Sequence, residues 1–536
     1  MIQSFDMKTW KIFPQKFDDP VKQLLYNRGL KTEKEIEEFF HPKLEDFEKE
    51  LNIPGLEKAK KRILQAIKNE EIIVVFGDYD ADGVCSLAVM YYSISELGGK
   101  FLPYIPHRDK EGYGLSKVGL DYAKEQGAGL VITVDNGIVA IDQSKYAKEI
   151  GLDLIITDHH LPLDILPEAH AIVHSTKLCG AGVAWSLARA LVNTKISNDL
   201  LDIVAIATVC DMMPLIGVNR ALVSEGLKKL NHTTKVGLIA LMVEARLIKG
   251  EITTYHIGHI IGPRINALGR IEHAMDSLRL LCTKDIKKAR TISKHLSDVN
   301  AQKKQLTVDA IFEAKEIINQ IEIKKKIIIV RSDKWIPGIM GLVAGRLVEE
   351  YGMPAIAISC ENGFAKGSAR STNEVNIVEV IRKCSDLLIG VGGHPKAAGF
   401  SLDVEKIEQF RQKMEKLMES AEVFEGETIN IETTIKTKQI TKKLVEELEN
   451  FEPTGVENPK PILASMQTPI FDIRTVGEGK HLKLKVDGLD AIAFGMGELA
   501  EQLKNGQDVN LAYNLELNTF NGAEKIQLKI VDIISS

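Results

Sequence analysis

Hydrophobic spacing changes its period several times along the chain. Up to residue 70, VKQLLYNRGL and LEKAKKRILQAIKNE place apolar residues three and four apart, which predicts an amphipathic helical lead-in. From residue 71 a short β-branched run, a polar turn and a helix recur. The runs predicted as strands are Ile72–Phe76, 130–134 and 154–157, with helices such as 84–96 and 119–125 between them. That alternation predicts parallel βαβ units with helices on both faces of a sheet. From about 185 to 320 the pattern is nearly all helical, and KKARTISKHLSDVNAQKKQLTVDAIFEAKEIINQIEIKKK predicts one long helix bridging two lobes. A second α/β unit follows, with strands IIIVRS and PAIAIS and a helix at 339–351. Near the end come a helix at about 438–449, the short alternating strands ILASMQT, HLKLKVDG, DVNLAYNLELNTF and KIQLKIVDI, and one internal helix, GELAEQLK. Short strands with Gly/Asn turns predict a small β-barrel. Five regions result: a helical lead-in at 1–70, an α/β domain at 71–215, a helical region with the connecting helix at 216–325, a smaller α/β domain at 326–420, and a barrel at 421–536.

Composition narrows the partners. The 536 residues carry 68 Lys and Arg against 74 Asp and Glu, a formal charge of −6, so the surface as a whole does not attract polyanions. Contact with nucleic acid then requires local basic clusters or metal ions bridging to phosphate. The six cysteines (Cys85, Cys179, Cys210, Cys282, Cys360, Cys384) form no CxxC pair and no zinc-ligand spacing, which predicts free thiols in a reducing compartment. The start MIQSFDMKTWKIF has no basic segment followed by an apolar block, and the apolar stretch 201–218 is broken by Asp202 and Asp211. The expected location is the cytoplasm, without a membrane partner.

The chemistry concentrates at strand ends, where ligands of open α/β sheets bind. GDYDADG follows the run IIVVF and brings Asp78, Asp80 and Asp82 into one turn. A solvated turn or a helix N-cap accounts for about one such carboxylate, not three. Like charges this close need a cation to stay ionised together. LVITVDNG ends at Asp135, LDLIITDHH ends at Asp158, His159 and His160, and DIVAIATVC leads to Asp211. Carboxylates with imidazoles suit Mn²⁺, with Mg²⁺ as alternative, one or two ions per site; the lack of thiolates disfavours structural zinc. A pair of such ions clamps and polarises a phosphate, so phosphoester hydrolysis is the expected reaction.

These motifs resemble a known group. GDYDADG, TVDNG, TDHH and CDMMPL are similar to the four successive motifs of the DHH phosphoesterase superfamily. LLYNRGL, IPHRDKEGYGLS, LCGAGVAWSLARAL, GPRINALGRI, WIPGIMGLVAGRL, KGSARS and GGHPKAAGF resemble, in order, the RecJ single-strand-specific exonucleases within it. The resemblance implies a parallel-sheet DHH lobe joined by a long helix to a smaller α/β DHHA1 lobe, then a C-terminal oligonucleotide-binding barrel. It implies a 5′→3′ exonuclease on single-stranded DNA in recombination and repair, with a single-strand-binding protein and a helicase as further partners. Asp80, Asp82, Asp135, His159 and Asp211 match the metal ligands, with Asp78 as a further ligand or orienter. His160 and Asp158 complete the signature, and His160 is the candidate contact to the scissile phosphate. In the glycine-rich DHHA1 motif, Gly393 and His394 match the phosphate grip. Arg108, Arg270, Ser368 and Arg370 match a 5′-phosphate pocket, for which guanidinium forks are suited, with Arg264 assisting. Tyr113 and Asn266 are candidates to line the strand channel, with a packed Tyr and a capping Asn as equal alternatives, and Lys480, His481 and Lys483 lie on the barrel.

Two departures bear on substrate grip and not on the acids. Ile336 stands where the family has His in W-H-P-G, and Thr454 replaces an aromatic residue in P-F-G-x-G-N-P. Phe76 occupies a place where related branches carry a His, which weakens the second metal position. Two rival readings remain at this point: a nanoRNase or cyclic-dinucleotide phosphodiesterase, and a non-catalytic replication scaffold. The full set of acids and histidines speaks against the scaffold, and chain length against the short-substrate enzyme.

Overall fold

The structure is a computed structural model that describes residues 8–108, 111–320, 326–361, 363–419, 428–520 and 523–535. The chain divides into two compact units. One contains Phe47–Met213 and Ala221–Glu425; the other joins the N-terminal residues up to Asp46, the segment Pro214–Arg220 and the C-terminal region from Gly426. The stretch read as a single helical lead-in is thus shared between them.

The larger unit begins with a five-stranded sheet: β1 (Ile72–Phe76), β2 (Lys100–Tyr104), β3 (Ala128–Val134), β4 (Asp153–Asp158) and β5 (Ala171–His174). All neighbours are parallel, and the spatial order is β2-β1-β3-β4-β5. The order reverses between β1 and β3, and a crevice opens beyond their carboxyl ends at such a switch point. The edge strand β2 was not predicted: KFLPY carries Pro103, which only an edge tolerates. Helices α1 (Ala81–Glu96), α2 (Gly180–Leu191) and α3 (Leu201–Cys210) are buried almost all round, as their unbroken apolar composition demands.

Helix α4 (Gly262–Ile271) follows a π-helical turn at Ile257–Ile261 that periodicity does not reveal. Arg264 Nη1 donates to the Ile260 carbonyl at 2.8 Å, which gives that turn a side-chain partner. Helix α5 (Ile286–Gln320) is the long connecting helix, 35 residues in length; the predicted extension into 321–325 lies outside the described residues. The second lobe holds β6 (Ile328–Ser332), helix α6 (Met340–Tyr351), β7 (Ala355–Glu361), β8 (Phe364–Arg370), β9 (Gly390–His394) and β10 (Ala397–Asp403). Its sheet order is β9-β10-β8-β7-β6, parallel only between β6 and β7.

The smaller unit is built on a closed five-stranded barrel: β11 (Leu463–Val476), β12 (His481–Val486), β13 (Leu489–Ala493), β14 (Asp508–Phe520) and β15 (Ala523–Ser535), with β14 returning to pair with β11. The predicted internal helix is only a 3-10 turn, Gly497–Glu501. Thr9–Ile12 pairs with Thr428–Ile431, and Trp10 donates its indole N–H to buried Asp532 at 2.6 Å. Arg220 is buried against the Phe39 ring, 3.9 Å from its centroid, and donates to the carbonyls of Phe39, Phe451, Glu452 and Pro453. That arginine knits the N-terminal helices to the barrel region. Among the described residues, no helix is long and apolar enough to cross a membrane.

Candidate metal centre and phosphate pocket

The three aspartates of GDYDADG part company as soon as the chain folds. Asp80 is the N-cap of α1, where Oδ1 accepts the N–H groups of Asp82 (3.0 Å) and Gly83 (3.1 Å). Asp82, on the first turn of α1, accepts from Gly180 (2.6 Å) and Ala181 (2.8 Å) at the start of α2. The free N–H groups and positive end of that helix favour a carboxylate there. Asp78 lies buried with Oδ1 unpartnered.

From β3, Asp135 enters with φ +62°, a left-handed backbone that suits Asn or Asp better than most side chains. Its Oδ1 is buried and unpartnered, 3.1 Å from His159 Nε2 without the alignment of a hydrogen bond. Gly180 makes room for it: a Cβ there would lie 2.5 Å from the Asp135 Cβ. His159 also stands 3.7 Å from Asp82 (Nε2) and 3.7 Å from Asp211 (Nδ1), the residue after α3.

Asp158 has another task. Its Oδ2 accepts from Ile138 N at 2.9 Å, and its Oδ1 accepts from the N–H groups of His159 and His160 and from His160 Nδ1 at 2.8 Å. With both oxygens engaged, Asp158 orients His160. Because a carboxylate only accepts, His160 carries its proton on Nδ1. The Tyr113 hydroxyl donates to the Asp135 carbonyl at 3.0 Å and lies 3.1 Å from both ring nitrogens of His160.

Among the described residues, ligand atoms therefore gather in three overlapping groups, each within 4.8 Å: Asp78, Asp80 and Asp135; Asp82, His159 and Asp211; and Asp135, His159 and His160. Shared members make this one centre. Two buried carboxylate oxygens without partners, among hard oxygen and imidazole donors, fit a divalent cation such as Mn²⁺ or Mg²⁺. Those residues, not the thiols, could hold it. All six cysteines are free.

Electrostatics agree. Burial, then the neighbouring acids, pushes Asp78 and Asp135 well above the carboxylate range. The same causes lift Asp82 to about 6 and Asp211 to about 9. Burial, with His160 beside it, drops His159 to about 4. Burial opposes both members of the Asp158–His160 pair, yet their mutual hydrogen bond wins: Asp158 is lowered and His160 raised.

A sign follows for the metal-free protein. Carboxyls raised in the fold above their unfolded value bind more protons folded than unfolded, so stability falls as pH rises between about 4 and the raised values. Asp211→Asn is expected to raise the melting temperature of metal-free protein at pH 8 and to shrink the extra stabilisation by Mn²⁺. Wild-type Mn²⁺ affinity should rise from pH 6 to 9, with proton release visible by calorimetry in buffers of different ionisation heat. An unchanged melting temperature in the variant, or binding without proton release, would remove this account.

A cationic pocket lies in the same unit. Arg108 sits over the Tyr79 ring at 5.1 Å. Arg270 donates to the Gly338 carbonyl at 3.1 Å and Arg370 to the Ala369 carbonyl at 2.8 Å. Burial and then Arg108 lower both guanidinium groups, Arg270 to about 10. Among the described residues, none of these three pairs with a carboxylate within 4.0 Å, so mutually repelling cations stand ready for an anion. Gly341, on the first turn of α6, brings that helix end against them: a Cβ there would lie 2.7 Å from Arg370 Nη2 and 3.3 Å from Ser368 Oγ. The end of α6 has no side-chain cap, and such an end binds phosphate readily.

Sequence reasoning missed Lys303 on α5, a buried lysine lowered to about 8 by burial and then by Arg270. Nothing in KKQL separates it from its exposed neighbour Lys304. Arg264 spends two nitrogens on Ile260 and Ser297. Asn266 accepts from the Ala81 N–H. Gly393 (φ +143°) pairs with Ala398 near the end of β9, and His394 after it is exposed. Of the two departures, Ile336 packs against the core of the second lobe, and Thr454 bonds to the Glu452 carboxylate.

A parallel sheet with a carboxylate–imidazole centre at its switch point, followed by a second α/β lobe carrying an anion pocket, defines a DHH-type phosphoesterase. Family models agree: the DHH family, N-terminal domain, matches residues 72–208, the DHHA1 domain matches 324–420, and the RecJ OB domain matches 431–532. The single-stranded-DNA-specific exonuclease RecJ of Bacillus subtilis is 36% identical over 531 residues, spanning 96% of this chain and 67% of the relative. The Escherichia coli protein of the same name is 30% identical, spanning 97% of this chain and 96% of its own. The structure of RecJ from Thermus thermophilus in complex with Mn²⁺ superposes with a TM-score of 0.86 at 28% identity, covering 99% of this chain and 80% of that one. Its complex with Mg²⁺ gives 0.80 at 27% identity, covering 98% and 78%. This chain belongs to the RecJ family of single-stranded-DNA-specific exonucleases.

Proposed function

We propose that the chain is a metal-dependent exonuclease that shortens single-stranded DNA from its 5′ end during recombination and repair. The observation that carries this reading is the pairing of two features in one unit: a buried acid–histidine centre with orphaned oxygens, and a half-buried arginine pocket in which, among the described residues, no carboxylate lies within 4.0 Å of a guanidinium. A divalent metal, when bound, supplies Lewis acidity that polarises the phosphodiester and makes water nucleophilic at neutral pH. Asp78, Asp80, Asp82, Asp135, His159 and Asp211 are the residues proposed to hold it. His160, kept in one tautomer by Asp158, is the proposed proton donor to phosphate or leaving oxygen. Arg108, Arg270, Arg370 and Ser368, with the uncapped end of α6, receive the terminal phosphate, and a guanidinium fork matches its oxygens. His394 and Gly393 are the proposed grip from the second lobe, and Tyr113 borders the strand.

The barrel unit offers a strip for further nucleotides. His481 and Lys483 alternate with buried Leu482 and Leu484 on β12. The half-exposed Phe494 ring stands 5.1 Å from His481, with Lys529 Nζ 5.5 Å above it. Aromatic faces with cations hold single strands without reading sequence. Lys480, in the adjoining turn, extends the charge. The proposed catalytic, substrate-gripping and strand-binding domains are the regions at 72–208, 324–420 and 431–532. The cytoplasm is the proposed location, where free thiols persist, and a helicase and a single-strand-binding protein are the proposed partners that present unpaired DNA.

The test is a digestion time course on 5′- and 3′-labelled oligonucleotides, single and double stranded, with and without Mn²⁺. Loss of 5′ label first, from single strands and only with metal, is the expected result. Loss of 3′ label first, or preference for a dinucleotide over a long strand, would overturn the reading.

A further inference from the structure

We infer that Asn266 is a positioning residue for the metal loop, and that through it helix α4 ties that loop to the arginine pocket. The inference rests on reading the acid–histidine cluster as a metal centre. The first N–H groups of a helix have no partner within it. In α1, Asp80 Oδ1 takes those of Asp82 and Gly83, and Asn266 Oδ1 takes that of Ala81 at 2.7 Å. An acceptor 185 residues away thus completes the cap. It leaves Asp80 Oδ2 free of capping duty.

Ala81 stands between Asp80 and Asp82, which belong to different ligand groups. Fixing one peptide N–H therefore fixes the spacing of both groups. The rest of α4 is pressed onto the same structure. A Cβ on Gly269 would lie 2.2 Å from the Tyr79 carbonyl oxygen, and one on Gly262 would lie 2.3 Å from Cys210 Sγ, beside Asp211. Only glycine permits both approaches. Arg270 follows Asn266 by four residues, one turn along the same helix face. The helix that presents a cation to the terminal phosphate thus also sets the metal loop. The side-chain oxygen of Asn266 is engaged in this bond.

Mn²⁺ titration by calorimetry in the absence of DNA tests this in the full chain. Asn266→Ala should weaken Mn²⁺ binding on the order of 10-fold, as loss of a group that orients ligands does. Asn266→Asp keeps the acceptor and should retain wild-type affinity or exceed it. Asn266→Gln keeps the amide but displaces it, and should behave like the Ala variant. At saturating Mn²⁺ the Ala variant should keep the wild-type KM for single-stranded DNA. Unchanged Mn²⁺ affinity with a raised KM would overturn the inference and make Asn266 a strand contact. Should the Ala variant fail to fold, equal Mn²⁺ affinities for the Asp and Gln variants would overturn it as well. Absence of Mn²⁺ binding by wild type would bring down the metal reading itself, a different failure from wild-type binding that Asn266→Ala leaves intact.

Discussion

Asp135→Asn is expected to lower turnover on single-stranded DNA by more than about 10³-fold while leaving strand binding measurable. Asp135 contributes to two of the three ligand groups, and its Oδ1 has no protein partner to occupy it. Asn is the appropriate replacement because Asp135 sits at φ +62°, where Asn is tolerated and Ala is strained. The variant removes a charge and a ligand without disturbing the backbone. Metal-free protein should melt higher, since a carboxyl whose ionisation burial and the neighbouring acids oppose is gone. Turnover near wild type would refute the role. A variant that neither cleaves nor melts cooperatively would point to a structural defect instead, which circular dichroism detects.

Arg370→Ala is expected to reduce the preference for a 5′-phosphate over a 5′-hydroxyl end by roughly 10- to 100-fold, the worth of a lost charge-assisted contact of about 1.5–3 kcal/mol. The half-buried guanidinium lies beside Gly341, and among the described residues no carboxylate within 4.0 Å neutralises it, so an arriving anion offsets its desolvation. Mn²⁺ binding should be unaffected, because Arg370 belongs to none of the ligand groups. The ratio of kcat/KM on the two ends is the measurement. A ratio equal to wild type would detach Arg370 from the terminal phosphate, and a changed Mn²⁺ affinity would show that the two sites cannot be separated.

The strand ends that carry Asp78, Asp135 and Asp158 were legible because β-branched runs and polar turns differ in composition at short range. Other elements were hidden by the same logic. KGSARS and GGHPKAAGF were not predicted as strands, yet they form part of β8 and the β9–β10 hairpin. Small and polar residues there carry little alternation, and cross-strand pairing with β7 and β10 decides their state. GELAEQLK has helical composition, yet it forms only the 3-10 turn Gly497–Glu501. The division of the lead-in between two units follows from contacts made hundreds of residues away, such as Trp10 with Asp532.

By itself the sequence determined which chemistry is available: the oxygen and imidazole donors and their places after strands. Residue type and local period suffice for that, since both act over a few positions. Only the tertiary structure decided how those groups divide their labour. Asp80 became a cap, Asp82 the anion at the start of a distant helix, Asp158 the anchor of His160, and Asn266 the last partner of the metal loop. Each assignment depends on which N–H group arrives within about 3 Å of a carboxyl or amide oxygen, and hydrogen bonds of that length are set by packing across the whole unit.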